Sequence, residues 1–406
     1  MKTWSPITVL LLLLAGISQS LFSQSHWELS SEVIPLDIDT SHHHQFVRLD
    51  DGIGIFEEET QTLYELGLDG RMKRMVVQFD RSSVPAVTRK NIIATKDAYF
   101  VTGYKNRILK IGKDGKSSSW LEPKLKREGI SYFIVYGDLA SFTNFYSPER
   151  NSLFLRVHPQ WKFSKKADKR YRYGVERYET PGLIAEISVD GELKNFFGEY
   201  DDVYQQKHFL YYLDACIFDE YKDAGLVYTL QLSDHLYVEP FDGGKKMVFG
   251  ERGRFMQKAF SALPEIKDPV EGNLEKTSNI LEAPFNWGVY SGGRFILRIY
   301  TTGIEDTVTV SRSEMEYLEK LKNGEVEGCA LAPLSELRRL KLLSSKPFFV
   351  QVYDTEDGFK LILDEPIDLK YPTYLGYHDG KFYFSKGGKP LKVMAVSITE
   401  AHQPGG

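Results

Sequence analysis

Four polar residues recur where predicted strands begin, and together they could bind a metal ion. They are amides or carboxylates, the oxygen ligands of which Ca²⁺ takes roughly six to eight. A calcium ion held there could activate water or polarise a carbonyl for hydrolysis. Asn and Asp at strand ends also serve turns, and this structural role is the alternative. The candidate metal ligands are Asn91, Asn144, Asp214 and Asn286.

A second group of candidates lies in a basic, aromatic-rich segment. From Arg156 to Arg177 there are eight Lys or Arg residues and two acidic ones, whereas the whole chain carries a formal net charge of -5. Arg and Lys bind carboxylate, sulfate or phosphate groups, and aromatic faces stack on sugars or cations. The segment predicts binding of an acidic glycan or an acidic protein partner; a β-ribbon with solvated charges is the alternative. The candidate ligand-binding residues are His158, Trp161, Arg170, Tyr171, Arg172 and Tyr173.

Familiar enzyme signatures are absent from the sequence. There is no Gly-x-Ser-x-Gly, His-Glu-x-x-His, Walker or Gly-x-Gly-x-x-Gly pattern, so no catalytic residue is assigned. The consecutive residues His42, His43 and His44 cannot all face one metal from a regular strand. The acidic net charge argues against nucleic acid as a partner.

The elements that would position these residues follow from composition and from a repeat. With 24 Tyr, 25 Phe and 42% hydrophobic residues, the composition is globular and favours β structure. Asp-Gly pairs separate short apolar runs, which predicts hairpins because the turn needs a positive φ. Two strand-like runs precede each hairpin, so a unit has four antiparallel strands, as in a propeller blade. The pairs begin at Asp69, Asp114, Asp190, Asp242 and Asp357.

The two ends of the chain complete the count. The C-terminal unit, which contains Asp379-Gly380, stops after three strands, and the run Trp27–Leu36 belongs to no unit. That run can supply the missing fourth strand and leave no open sheet edge. The predicted fold is therefore all-β, a single six-bladed β-propeller over residues 25–400, closed by the N-terminal strand and followed by a tail, 401–406. Seven blades is the alternative, since residues 251–345 are difficult to divide.

Three long insertions are predicted on one face of the propeller, at residues 158–182, 251–283 and 301–346. Connections between strands two and three of a blade open on the same face as connections between blades, which we call the loop-rich face. The last insertion contains helical patterns, including a capping box at Ser313 and Glu316. Loops on a rigid scaffold concentrate binding residues, so this is the predicted binding face.

Residues 1–24 read as a signal peptide, and an N-terminal membrane anchor is the alternative. Lys2 precedes an apolar run from Ile7 to Ile17, which is too short to span a bilayer, and cleavage after Ser20 or Gln24 is expected. No cysteine lies near these sites, so we expect a periplasmic or extracellular protein that is not a lipoprotein and has no transmembrane segment. Outside the cytoplasm Cys216 and Cys329 could pair; two buried thiols are the alternative.

The strand and turn Leu-Tyr-x-Leu-x-x-Asp-Gly ending at Gly70, the six-fold count and the Phe-Ser-Gln-Ser end of the leader resemble a known group. They are similar to the secreted six-bladed propellers of Bacteroidetes, of the NHL-like and YVTN-like superfamily, many of which have unknown function. The resemblance covers roughly residues 27–400 and implies a fold, not an activity. The expected function is a binding or interaction propeller that holds an anionic ligand on its loop-rich face. The alternative is a calcium-dependent hydrolase of lactonase or esterase type, with its site in the central channel.

Overall fold

A computed structural model describes residues 27–38, 44–49, 52–79, 91–102, 106–135, 144–160, 182–205, 215–256, 284–302, 346–370, 372–386 and 390–401. Its regular structure is almost entirely antiparallel strands. The first three blades contain β2 (His44–Leu49), β3 (Gly52–Glu57), β4 (Thr62–Leu66) and β5 (Met72–Gln78); β6 (Asn91–Ala94), β7 (Ala98–Thr102), β8 (Ile108–Gly112) and β9 (Ser118–Leu121); and β12 (Phe145–Ser147), β13 (Ser152–Gln160), β14 (Ile184–Ser188) and β15 (Leu193–Phe197).

The remaining blades continue this order around the ring. A short helix, α1 (Asp202–Gln205), follows the third blade. The strands are β16 (Cys216–Tyr221), β17 (Gly225–Leu230), β18 (Leu236–Pro240) and β19 (Met247–Phe249); β20 (Phe285–Gly292), β21 (Phe295–Thr301), β22 (Phe348–Asp354) and β23 (Lys360–Ile367); and β24 (Tyr374–His378), β25 (Lys381–Ser385), β26 (Lys392–Glu400) and β1 (Trp27–Pro35).

Six sheets arranged in a ring confirm the six-bladed propeller. In the first five blades the four blade strands are paired in sequence order from the axis outward. The sixth sheet has the order β24, β25, β26, β1, with Trp27 opposite Glu400 and Pro35 opposite Lys392. The predicted closure by the N-terminal strand is therefore confirmed.

The Asp-Gly turns have the backbone that the sequence predicts. Gly70 has a φ of 80° and Gly191 one of 92°, a region that favours glycine. Gly70 also joins two blades, because its carbonyl accepts a hydrogen bond from the Asp37 N–H at 3.0 Å. A Cβ at Gly70 would lie 2.3 Å from the Pro35 carbonyl oxygen, so a side chain there would push β1 away.

One hairpin is an addition to the predicted plan. Strands β10 (Lys126–Arg127) and β11 (Ile130–Ile134) precede the third blade, and β11 pairs with the second half of β13. The Asn106 side chain fixes β11 at both sides, donating to the Tyr132 carbonyl and accepting from the Ile134 N–H, each at 2.7 Å. β13 runs on to Gln160, past the predicted start of the first insertion, and this second half is the part that pairs with β11.

Apolar side chains fill the spaces between neighbouring blades. Between the fourth and fifth blades, for example, Val227 and Val238 pack with Val289 and Ile296 in one buried cluster. Cys216 is a buried free thiol, whereas Cys329 lies outside the described residues. So do the helical patterns predicted in the third insertion. No helix in the described ranges is long and apolar enough to cross a membrane.

Candidate functional site: the axial cavity

The innermost strands of all six blades surround a cavity on the propeller axis. The space open to the centre of a water molecule is about 30 Å³, enough for roughly two or three waters. We call this space the axial cavity. Its lining combines amides, charged groups and apolar or aromatic side chains. The residues are Gln45, Phe46, Val47, Arg48, Asn91, Ile92, Asn144, Phe218, Asp219, Tyr290, Thr373 and Tyr374.

An ion pair crosses the axial cavity. Arg48 belongs to the first blade and Asp219 to the fourth, which lies opposite in a ring of six. Nη1 of Arg48 lies 2.8 Å from Oδ1 of Asp219. The second carboxylate oxygen, Oδ2, accepts the Ser291 N–H of the fifth blade at 3.0 Å. The Asp219 side chain is only 3% exposed and uses both oxygens, so its charge is compensated within the wall of the cavity.

Arg48 is much less enclosed than its partner. Its side chain is 42% exposed, and its guanidinium lies over the ring of Tyr374, with Cζ 5.1 Å from the ring centroid. Within the described part of the chain, Arg48 donates no hydrogen bond from Nε or Nη2. The cavity therefore contains a permanently charged group with donors still available.

Two of the four predicted metal ligands lie together in the axial cavity. Asn91 is the first residue of β6, and Asn144 directly precedes β12. Oδ1 of Asn144 accepts the Arg156 N–H at 2.7 Å, which leaves its amide nitrogen as a donor. The side-chain amide of Asn91 makes no hydrogen bond to another described residue. Both positions lie at the end of the cavity nearer the loop-rich face, since innermost strands begin there.

The other two predicted ligands are not among the residues that line the cavity. Asp214 lies outside the described residues. Asn286 is fully buried between blades, and its amide is committed to protein partners. Its nitrogen donates to the carbonyls of Leu230 and Ser233, each at 2.7 Å, and its oxygen accepts from Nε of Arg298 at 2.6 Å. Among described side chains, no group of three or more His, Cys, Asp or Glu is placed to hold a metal.

A second carboxyl group stands beside the ion pair. Glu220 accepts a hydrogen bond from the hydroxyl of Ser147 in the third blade. Burial raises the pKa of Glu220 to about 7, and the like charges of Asp219 and Asp223 act in the same direction. The Ser147 hydrogen bond and the charge of Arg48 oppose that shift without cancelling it. Glu220 is therefore partly protonated near neutral pH, which limits the negative charge near the cavity.

Of the predicted ligand-binding residues, only His158 is described. It lies within β13, is 5% exposed, and stacks on Phe133 of β11 with ring centroids 5.8 Å apart. It is thus part of a buried strand pair and not of an open loop. Trp161, Arg170, Tyr171, Arg172 and Tyr173 lie outside the described residues, so binding by that segment stays a prediction.

Sequence reasoning missed Arg48 and Asp219. Both are charged residues within predicted innermost strands, in Phe-Val-Arg-Leu and Ile-Phe-Asp-Glu. A charge in such an apolar run was the available signal. Their pairing was not visible, because 171 positions separate them along the chain.

Comparisons with known proteins identify the fold. No family model matches the chain, and no curated protein does. A duf4221 family member from Bacteroides vulgatus has a TM-score of 0.60 at 15% identity, over 93% of this chain and 100% of that one. A Bacteroides fragilis protein whose export is inferred has a TM-score of 0.48 at 10% identity, over 93% of this chain and 96% of that one. The PQQ-bound aldose sugar dehydrogenase of Streptomyces coelicolor has a TM-score of 0.43 at 9% identity, over 92% of this chain and 99% of that one. The resemblance to Bacteroidetes propellers is thus confirmed at the level of fold.

Proposed function

We propose that the protein is an exported binding propeller that holds an anionic ligand in its axial cavity, with Arg48 as the anchor. The observation that carries this proposal is the Arg48 side chain, which is 42% exposed and lines a cavity to which every blade contributes. The ion pair uses one nitrogen, Nη1, and leaves Nε and Nη2 without a hydrogen bond to any described residue.

The neighbouring groups favour an anion over a neutral ligand. The amide nitrogen of Asn144 has no acceptor among the described residues and lines the same cavity as Arg48, so it adds a hydrogen-bond donor there. Hydrogen bonds to a charged acceptor are shorter and roughly twice as strong as neutral ones, and a low local dielectric strengthens them further. Asp219 is already compensated by Arg48 and by the Ser291 N–H, so its repulsion of an incoming anion is reduced.

A larger ligand would extend toward the loop-rich face. Asn91 and Asn144 mark that end of the axial cavity. The segment from Arg156 to Arg177, with its excess of basic residues, starts within β13, which runs toward the same face. An acidic glycan or an acidic protein could therefore place one anionic group in the cavity while the rest meets that segment.

Calorimetry on the purified protein tests the proposal. Carboxylates, sulfate and phosphate are titrated at one ionic strength into the wild type and into Arg48→Met. The variant should lose binding, whereas Arg71→Met, which changes a side chain that is 86% exposed, should keep it. Circular dichroism establishes that each variant is folded. Equal affinity in folded Arg48→Met and wild type would refute the proposal.

A calcium-dependent hydrolase of lactonase or esterase type is the second candidate. It is favoured by the two amides, Asn91 and Asn144, that share the cavity. The positive charge of Arg48 in the same space opposes it. Melting curves in EDTA and in excess calcium separate the two candidates. Calcium at about 100 times its Kd, bound only by the folded state, adds about 2.7 kcal/mol and should raise the Tm by about 3 °C. An unchanged Tm would remove the calcium candidate and leave the anion site.

A further inference from the structure

We propose that the anionic group bound by Arg48 is an organic carboxylate, taken bidentately by Nε and Nη2. This inference rests on the proposed function and narrows it. A guanidinium has one edge formed by Nε and Nη2, whose two N–H groups match the two oxygens of a carboxylate. In Arg48 that edge is the one left without a hydrogen bond to any described residue.

Two other arginines of this protein bind a carboxylate through the edge formed by Nε and Nη2. Arg150 donates from Nε and Nη2 to the two oxygens of Glu186, at 2.9 and 3.0 Å. Arg294 does the same with Asp354, with an Nε to Oδ1 distance of 2.7 Å, and its second N–H reaches Oδ2. Both carboxylates are almost fully buried, at 1% and 2% exposure. Arg48 differs in that its internal partner, Asp219, occupies Nη1 and leaves the matching edge vacant.

Neighbouring residues hold the Arg48 guanidinium in one orientation. Asp219 fixes Nη1 on one side, and the Ser291 N–H fixes Asp219 in turn. The ring of Tyr374 lies against the guanidinium. Because these three contacts come from the fourth, fifth and sixth blades, little side-chain freedom remains to be lost when a ligand binds.

Charge and the apolar lining favour a carboxylate over a tetrahedral oxyanion. A single negative charge is repelled less by Asp219 and by ionised Glu220 than a double one. The apolar walls of Ile92 and Phe218 suit the carbon atoms that an organic carboxylate carries and that a simple oxyanion lacks.

The test compares acetate and propionate with sulfate and phosphate at constant ionic strength, by calorimetry on the full chain. We expect Kd values on the order of 1 mM for the carboxylates, because such small ligands have few atoms with which to bind. Arg48→Lys keeps the positive charge but has no two-donor edge, and should weaken carboxylate binding at least about tenfold. Arg71→Lys is the matched control. In ¹⁵N spectra the Nε–H signal of Arg48, assigned by its loss in Arg48→Lys, should shift as acetate is added.

The outcomes separate this inference from the proposed function. Tighter binding of sulfate or phosphate than of acetate would overturn the carboxylate assignment while leaving an anion site. Unchanged acetate affinity in Arg48→Lys would overturn the bidentate geometry. Absence of binding for every anion up to about 50 mM, well above the expected Kd, would overturn both.

Discussion

Replacing Arg298 by methionine would test the buried network between the fourth and fifth blades. Arg298 is fully buried, and its guanidinium donates only to uncharged oxygen atoms within the described ranges. A positive charge is therefore held by dipoles at this position. The acceptors are Oδ1 of Asn286 at 2.6 Å, Oε1 of Gln351 at 3.2 Å, and the carbonyls of Ser233 at 2.9 Å, Asp234 at 3.0 Å and Glu251 at 2.9 Å.

The expected cost follows from the acceptors that would lose their donor. Oε1 of Gln351 would keep the Tyr353 hydroxyl at 2.9 Å, and the Ser233 carbonyl would keep the Asn286 amide. The Asp234 carbonyl and Oδ1 of Asn286 have no other donor in the described part of the chain. An unpaired buried acceptor costs about 1–3 kcal/mol. Oδ1 of Asn286 is fully buried and the Asp234 carbonyl is partly buried, so the two together cost at most about 6 kcal/mol. The methionine side chain avoids the desolvation penalty of a buried charge, and this offsets part of that cost. The net loss in the free energy of unfolding is then about 3 kcal/mol.

Urea unfolding of the full chain would measure this loss. For a protein of this size, a loss of about 3 kcal/mol corresponds to a fall in Tm of about 4 °C. Arg71→Met removes an arginine whose side chain is 86% exposed and should stay within about 0.5 kcal/mol of the wild type. A loss below about 1 kcal/mol in Arg298→Met would refute the view that this cation supports the network.

Three further predictions concern other parts of the chain. Because the pKa of Glu220 is about 7 in the folded protein against an ordinary 4.5, the stability it contributes is complete at acid pH and lost as the pH rises through 7. Glu220→Gln should flatten the fall in Tm between about pH 5 and pH 8, and an identical profile would contradict this. Burial raises the pKa of the Cys216 thiol, which makes the thiol unreactive in the folded protein. In a Cys329→Ala variant, Cys216 should therefore react with a disulfide reagent no faster than the protein unfolds. Rapid labelling of the native variant would show instead that the thiol is accessible. Exported protein should have lost its leader after Ser20 or Gln24, and N-terminal sequencing that finds an intact leader would exclude cleavage.

The blade plan could be predicted because its signals are local. An Asp-Gly pair such as the one ending at Gly191 needs a positive φ, and that need is visible in two adjacent residues. The closure could also be predicted, since the run from Trp27 had no other unit to join. In each case a short stretch of sequence contains the physical reason.

The remaining features depend on contacts between distant segments. The β10–β11 hairpin exists because β13 extends beyond β12 and Asn106 of another blade holds β11 in place. Asn286 begins an innermost strand, as predicted, but Arg298 draws its amide into the interface between blades. No local pattern distinguishes an asparagine that faces the axis from one that faces a neighbouring blade.

Pairing of β1 with β26 gives the chain a last step in its assembly. Five sheets consist of strands that are near one another in sequence, and such local contacts form early. β1 must wait for the final strand to be synthesised, because Trp27 pairs with Glu400 and Pro35 with Lys392. Until then the edge of β26 can accept the same strand from a second molecule in the same register. Refolding at high protein concentration should therefore yield strand-exchanged dimers, and dilute refolding should yield closed monomers.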